Sequence, residues 1–366
     1  MAKMINLKIN NIPVKVPEGT NVLEAARAAG IRIPSLCYLK GINEMGACRM
    51  CIVEVKGAKN LVASCVYPVS EGMQVLTNSD KVQKARKTTL ELMLSTHNKE
   101  CLSCVRSTNC ELQKLCVEYG TDENAFAGFR PMYEIDTTTA HLVRDNNKCI
   151  LCRRCVAACN EQFVSILGAN DRGIDTNIGQ TFGMSLVNTP CISCGQCTVV
   201  CPTGALTEKD DTAEVWAALA DPTKKVIVQT APAIRATLGE WFGMTPGTNV
   251  EGKVVAALRR LGFYKVFDTD AGADLTIVEE ANELVERIQG GGVLPMITSC
   301  SPGWVKFCET YYPEEIGHLS SCKSPHQMLG AVIKTYWAEK EGIDPKDIVT
   351  VSVMPCVAKK FDLFRI

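Results

Sequence analysis

The sequence predicts two kinds of architecture in one chain. An α+β N-terminal half is organised by metal–thiolate loops, and an α/β part follows, with a parallel sheet covered by helices. Three observations carry this. Residues 4–16 alternate apolar and polar side chains with period two, as a half-buried β-hairpin does. Fifteen cysteines and one histidine fall into four closely spaced groups before residue 202. From about residue 212 cysteine thins out, and short apolar runs alternate with helical stretches.

The bulk numbers narrow the class. The chain has 366 residues, enough for two or more domains. Its 39 basic and 40 acidic residues leave a net charge of -1, which argues against a nucleic-acid partner or an anionic membrane surface. The N-terminus has no apolar signal core, and no stretch approaches the roughly 20 apolar residues of a spanning helix, so no membrane insertion is expected. A cytoplasmic location follows as an expectation. In that reducing compartment, 20 cysteines in C-x2-C repeats read as metal thiolates rather than disulfides.

In order, Ile5, Leu7 and Ile9 form one strand, Asn10-Asn11 a turn, and Val14 and Val16 the returning strand. Asn21 followed by Glu24 resembles a capping box, so Val22–Ala29 is a short helix stopped by Gly30. Residues 81–96 form a helix leading to His97. Residues 141–210 hold two similar cysteine runs separated by a Gly/Asn-rich insert, an internal repeat. Beyond residue 212 the predicted strands are Lys225–Gln229, Lys265–Thr269, Leu294–Thr298 and Ile348–Met354. The predicted helices are Thr212–Leu219, Val250–Leu261, Ala271–Ile288, Gly303–Tyr312 and Pro325–Glu341. The resulting domains are 1–80, 81–138, 139–211 and 212–366.

Each cysteine group has its own spacing. Cys37-x10-Cys48-x2-Cys51-x13-Cys65 has the close cysteines and distant fourth of plant-type [2Fe–2S] ferredoxins, with a longer first gap. A zinc site is the plainer alternative, although zinc sites usually pair two C-x2-C knuckles. His97-x3-Cys101-x2-Cys104-x5-Cys110 reads as a [4Fe–4S] site with one imidazole ligand, unless His97 only ends the preceding helix. Cys149-x2-Cys152-x2-Cys155-x3-Cys159 and Cys191-x2-Cys194-x2-Cys197-x3-Cys201-Pro202 match the bacterial two-cluster ferredoxin run, in which the fourth cysteine ligates the other cluster. Cys149, Cys152, Cys155 and Cys201 therefore form one [4Fe–4S] set, and Cys191, Cys194, Cys197 and Cys159 another. Cys116, Cys308 and Cys322 are expected in helices as core cysteines.

Two further cysteines stand at predicted strand ends, where α/β sheets bind ligands: Thr298-Ser299-Cys300-Ser301-Pro302-Gly303-Trp304 and Met354-Pro355-Cys356-Val357-Ala358-Lys359-Lys360-Phe361-Asp362. With the four cluster groups before them, these segments closely resemble the [FeFe]-hydrogenases, whose first two catalytic signatures read T-S-C-C-P-x-W and M-P-C-x-x-K-x-E. The resemblance runs over essentially the whole chain. It implies ferredoxin-like N-terminal domains and a partial hydrogenase catalytic domain. It also implies an H-cluster, a [4Fe–4S] cubane joined to a two-iron unit carrying CO and cyanide. Matched by position, Cys300 is the proton-donating cysteine, Cys356 a cubane ligand and Lys359 the lysine that contacts a cyanide. Ala231 and Pro232 lie on the loop lining the two-iron unit. Glu280, Glu283 and Ser320 match the proton path; from the residues alone the two glutamates read as a solvated helix face.

Three departures stand out. Ser301 occupies a cubane-ligand position, Asp362 replaces the signature's Glu, and the third signature, E-x-M-A-C-x-x-G-C, is not in the 366 residues. The chain thus offers one matched cubane ligand, and it is expected to be either a fragment or a shortened homologue with exposed apolar sheet edges. The resemblance implies reversible reduction of protons to H2 in an anaerobic hydrogen metabolism. One [2Fe–2S] and three [4Fe–4S] clusters would relay electrons from ferredoxin or a flavin, NADH-oxidising subunit. The alternative is a non-catalytic iron–sulfur subunit of a larger oxidoreductase. An NADH or formate dehydrogenase-type subunit fits residues 298–304 and 354–362 less well, and no G-x-G-x-x-G suggests that the chain itself binds NAD.

Overall fold

We describe residues 3–363 from a computed structural model of the chain. It divides into two compact units, Met1–Cys191 with Gln196–Thr207, and Ile192–Gly195 with Glu208–Ile366.

The first unit opens on the expected hairpin, β1 (Met4–Ile9) and β2 (Ile12–Pro17), with Ile9 opposite Ile12. Asn10 and Asn11 both have positive φ, 49° and 66°, as a two-residue turn that follows the strand twist requires. In α1 (Val22–Ala28) the Asn21 side chain accepts the Glu24 N–H at 2.8 Å. Strands β3 (Ile52–Val55), β4 (Val62–Ala63) and β5 (Gln74–Leu76) complete a mixed sheet in the order β2-β1-β5-β3-β4. Its inner face buries Ile5, Leu7, Ile9, Val53 and Val75 together with Val22 and Leu23 of α1. Each such side chain contributes about 2 kcal/mol.

Helices α2 (Asp80–Thr96) and α3 (Glu111–Tyr119) follow. Leu90, Leu94, Leu112 and Leu115 on them close over Leu36 and Met50, which flank the first cysteine group. Cys116 is half-buried on α3 in the same packing. The rest of the unit comprises β6 (Leu142–Arg144), α4 (Arg154–Glu161), β7 (Gly168–Asn170), β8 (Asn177–Gly179), α5 (Gln196–Val200) and β9 (Leu206–Glu208). The flanking strands β6 and β9 pair with each other, and α4 packs on α5. The Gly/Asn-rich insert forms the β7–β8 hairpin.

The second unit contains α6 (Thr212–Ala220), β10 (Lys225–Thr230), α7 (Ile234–Trp241), α8 (Glu251–Arg260), β11 (Lys265–Asp268) and α9 (Asp270–Gly290). After these come α10 (Pro302–Tyr311), α11 (Pro325–Val332), α12 (Ala338–Glu341), β12 (Ile348–Val353) and α13 (Lys359–Asp362). The sheet is parallel in the order β11-β10-β12. Strand alternation sends Ile227 and Ile348 toward Leu329 and Ile333. It sends Val226 and Val228 to the opposite face, against Leu219 and Leu258. Both faces are covered, as a parallel sheet requires. Gly272 lets α9 approach α11 closely, since a Cβ there would stand 2.3 Å from the Pro325 carbonyl oxygen.

The expectations for this unit need three corrections. Leu294–Thr298 is not a strand. Pro295 has no N–H to give a ladder, and Ile297 makes a single isolated bridge to Leu319. The helix expected at Pro325–Glu341 contains a π-helical turn, Ile333–Trp337. Helix α7 was not foreseen, because Gly239 and Thr237 weaken its propensity. Exposed apolar surface in this unit lies on helices rather than on the sheet strands, whose apolar residues are buried or half-buried: Ile277, Val278 and Ile288 on α9 and Trp241 on α7 are more than half exposed. Among the described residues no helix is long and apolar enough to cross a membrane.

Candidate functional site

In the first cysteine group, all four thiols are buried. Cys51 and Cys65 bring their sulfurs to 3.3 Å. Main-chain N–H groups point inward: Cys48 N–H donates to Cys37 Sγ at 3.5 Å and Leu36 N–H to Cys48 Sγ at 3.4 Å. Hydrogen bonds from Cys48 and Cys65 lower the Cys37 thiol, while Cys48 and Cys65 are raised by the same contacts with Cys37 and by burial. Four thiols in one dry space ionise together only with a cationic centre among them, which is what an iron–sulfur cluster provides.

His97 stands at the C-cap of α2, 7% exposed. Its Nδ1 is buried without a hydrogen-bond partner. Burial lowers its pKa to about 4, so the imidazole is neutral and keeps a lone pair to donate. Cys101, Cys104 and Cys110 are half-buried, and burial raises the Cys110 thiol. Gly204 leaves room beside this group, because a Cβ there would stand 2.8 Å from Cys104 Sγ.

The two C-x2-C-x2-C runs repeat in backbone as well as in sequence. Leu151 and Arg153 flank Cys152 with positive φ, 54° and 61°, and Ser193 and Gly195 flank Cys194 with 60° and 74°. Alternation of left-handed residues turns successive N–H groups toward a common concavity, suited to an anionic cluster. A small cavity is lined by Cys149, Cys152, Cys155 and Cys201, with Arg144 and Ile178. Cys201 of the second run thus lines one cavity with the first three cysteines of the first run. Burial pushes the Cys149 and Cys152 thiols up to about 12 and raises Cys155 strongly. In the other set, Cys159 is buried, Cys191 Sγ lies 3.7 Å from His141 Nε2, and Cys194 belongs to the second unit. Among the described residues no three His, Cys, Asp or Glu side chains close around a point as a single ion would require.

In the second unit, Cys300 and Cys356 are exposed. Lys359 Nζ donates to the Cys300 carbonyl at 2.9 Å and pairs with Asp362 Oδ2 at 3.1 Å. Ala231, followed by Pro232, takes its N–H bond from β12, to the Val353 carbonyl at 3.0 Å. These positions therefore gather at the C-terminal end of the parallel sheet. The segment Ile192–Gly195 packs here too. Ser193 Oγ accepts from Lys306 Nζ of α10 at 3.3 Å, and Gly195 abuts Val357. Ser301 is the exposed N-cap residue of α10 and makes no capping bond.

Glu283 and Ser320 meet: Ser320 Oγ donates to Glu283 Oε2 at 2.8 Å. The Ser321 N–H and the Arg287 guanidinium also donate to this carboxylate. Despite opposing desolvation, these donors hold Glu283 at about 2. Glu280, one helical turn away, has a buried Oε1 with no partner. Cys322 corrects the expectation of a helical core cysteine. It lies in the irregular segment before α11, half-buried, with its Sγ 3.7 Å from Glu283 Oε2. Its N–H donates to Ser320 Oγ at 3.1 Å, and its carbonyl accepts from Ser299 Oγ at 2.6 Å. Cys308 is fully buried in α10, as expected. The sequence reading missed Arg287 and Cys322. Arg287 was findable, four residues after Glu283 on one helix face. Cys322 had no comparable signal.

Buried and half-buried cysteine sets, a histidine-terminated helix and an α/β strand-end site define a multicluster iron–sulfur oxidoreductase. Four family models match in succession along the chain. The "2Fe-2S iron-sulfur cluster binding domain" matches residues 2–80, the "NADH-ubiquinone oxidoreductase-G iron-sulfur binding region" 86–125 and the "4Fe-4S dicluster domain" 148–210. The "Iron only hydrogenase large subunit, C-terminal domain" matches 224–365. The NADP-reducing hydrogenase subunit HndD of Solidesulfovibrio fructosivorans is 48% identical over 99% of this chain and 64% of its own length. Iron hydrogenase 1 of Clostridium pasteurianum is 43% identical over 99% of this chain and 63% of its own. The chain is thus similar to iron-only hydrogenases over nearly its whole length, and it spans slightly less than two thirds of these relatives. A chain in the crystal structure of an NAD+-reducing [NiFe]-hydrogenase is also similar. It matches with TM-score 0.53 and 33% identity over 57% of this chain and 88% of that one.

Proposed function

We propose that this chain carries electrons through four iron–sulfur clusters to a hydrogenase-type site, as part of an oxidoreductase that interconverts protons and H2. The domains are those read from the sequence, 1–80, 81–138, 139–211 and 212–366. Cys37, Cys48, Cys51 and Cys65 hold a [2Fe–2S] cluster. His97, Cys101, Cys104 and Cys110 hold a [4Fe–4S] cluster. The crossed sets Cys149, Cys152, Cys155, Cys201 and Cys191, Cys194, Cys197, Cys159 hold two more. Bound clusters supply one-electron transfer at potentials set by ligand type, hydrogen bonding and burial. The chain's own residues set those terms: the Cys48 and Leu36 N–H groups hydrogen-bond sulfur, and His97 is a neutral ligand in a thiolate set.

One observation carries the direction of the relay. Gly195, next to Cys194, lies against Val357, next to Cys356. A cluster held by Cys194 would thereby stand beside the strand-end site. There, Cys300, Glu280, Glu283 and Ser320 would pass protons, with Ser320 holding its proton toward Glu283 and Glu280 presenting an open acceptor. Cys356 stands at one matched cubane position of the H-cluster, and Ser301 occupies another. No step is assigned through that group. The electron partner is read as ferredoxin or a flavin-bearing, NADH-oxidising subunit, in the cytoplasm.

An anaerobically reconstituted chain should contain about 14 iron atoms, two from the [2Fe–2S] and four from each cubane. Its electron paramagnetic resonance spectrum should show four reducible centres. Zinc in any set, or fewer reducible centres, overturns the relay. After maturation, CO and cyanide stretching bands in the infrared would support a hydrogenase site. Their absence overturns an active H-cluster in this chain and leaves the electron-transfer subunit reading.

A further inference from the structure

A buried polar node adjoins the strand-end site through Lys359. Asp362 is 2% exposed, yet its Oδ2 accepts the Ser324 hydroxyl at 2.6 Å and the Lys359 ammonium at 3.1 Å. His326 is 3% exposed and brings Nδ1 to 3.6 Å from the same oxygen. Its Nε2 lies 2.7 Å from Ser352 Oγ on β12. Gln327 Nε2 donates to the Asp362 carbonyl at 2.8 Å. Three side chains, Ser324, His326 and Lys359, thus converge on one carboxylate, and that carboxylate holds the lysine that donates to the Cys300 carbonyl at 2.9 Å.

We infer that His326 is a positioning residue for Lys359. Ser352 donates to Nε2, and the imidazole proton sits on Nδ1, facing Asp362. Asp362, so held, keeps the Lys359 ammonium against the Cys300 main chain. The alternatives are less favourable electrostatically. With the proton on Nε2, a bare Nδ1 lone pair would face a carboxylate oxygen. With both nitrogens protonated, two cations would share one carboxylate in a buried space, and a net buried charge is strongly disfavoured. The node also accommodates Asp362 where the family signature has a longer Glu: the Ser324 cap and the first turn of α11 bring the donors to the shorter carboxylate. The link to catalysis rests on the proposed roles of Lys359 and Cys300. The placement of His326 does not.

Nitrogen NMR of the full chain, labelled in its four histidines, tests this. H326L identifies the signal. The expected result is protonated Nδ1 and unprotonated Nε2, with loss of that pattern in D362N. In lysine-labelled protein, the Lys359 side-chain signal, assigned with K359M, should shift in H326L and return most of the way in H326Q, which restores a donor. An Nε2–H tautomer in the unmodified chain overturns the inference. So does a Lys359 signal unmoved in both H326L and D362N. If H326L fails to fold, S352A is the second variant: it removes the donor to Nε2 and should lower the Nδ1–H population, and an unchanged tautomer again overturns the inference. Neither spectrum depends on an H-cluster. Missing CO and cyanide bands would therefore count against the hydrogenase reading and leave the tautomer result standing.

Discussion

Gly195 and Val357 are in contact so close that a Cβ on Gly195 would stand 2.4 Å from Val357 Cγ2. The glycine also holds a φ of 74°, which side chains adopt only under strain. One residue on each side of this contact lies a cysteine assigned to a metal site. Gly195→Ala should push the Cys194 loop from the strand-end segment and destabilise the unit by about 1–3 kcal/mol. A lower thermal midpoint, with slower reduction of the last cluster relative to the others, is the expected result. Unchanged transfer kinetics would remove Gly195–Val357 as the point of approach.

The crossed grouping predicts which substitutions resemble each other. Cys201→Ser should perturb the same resonance signal as Cys149→Ser, because both line one cavity. Cys159→Ser should instead match Cys191→Ser. Cluster-specific spectra of the four variants check this, and a Cys159→Ser spectrum matching Cys149→Ser would return the ligands to a linear grouping.

His97 offers a cleaner test of an imidazole ligand than of a helix end. Its Nδ1 is buried with no partner, and His97→Ala removes the only nitrogen donor in its set. The expected loss is about four iron atoms per chain or conversion of that cluster to a three-iron form. His97→Cys should retain the cluster and lower its potential, since an anionic thiolate replaces a neutral ligand. A potentiometric titration reads both.

Two carboxylates govern the acid limb of stability. Glu283 and Asp362 are each held at about 2, below the ordinary carboxylate range, by surrounding donors that overcome desolvation. A depressed carboxylate contributes stability that is present above its unfolded pKa and lost as pH falls through the folded one. Stability of the second unit should therefore decline between about pH 4.5 and pH 2. Glu283→Gln should flatten that decline and lower stability at neutral pH by about 1–3 kcal/mol, because Arg287 loses its carboxylate partner. Denaturant titrations at a series of pH values measure both effects.

Much of the chemistry was legible in order along the chain. Cysteine spacing is local: a C-x2-C loop presents two thiols whatever surrounds it, so the four groups stand out in the sequence without a fold. The first hairpin, α1, α2 and the strands Lys225–Thr230 and Ile348–Val353 were equally local, set by period-two alternation, a cap or an apolar run bounded by turns. Leu294–Thr298 misled because an apolar run says nothing about whether a partner strand stands beside it, and Pro295 forbids a full ladder.

What tertiary structure decided was convergence across sequence distance. The sequence by itself determined which residues carry sulfur, charge and protons. It left open that Arg287 would clamp Glu283, that Cys322 would join Ser299 to Ser320, and that His326 would face Asp362. Those contacts join residues from different helices and loops. Their geometry follows from packing both faces of a three-stranded parallel sheet and from a glycine close approach between α9 and α11, and none of that is encoded in a local spacing.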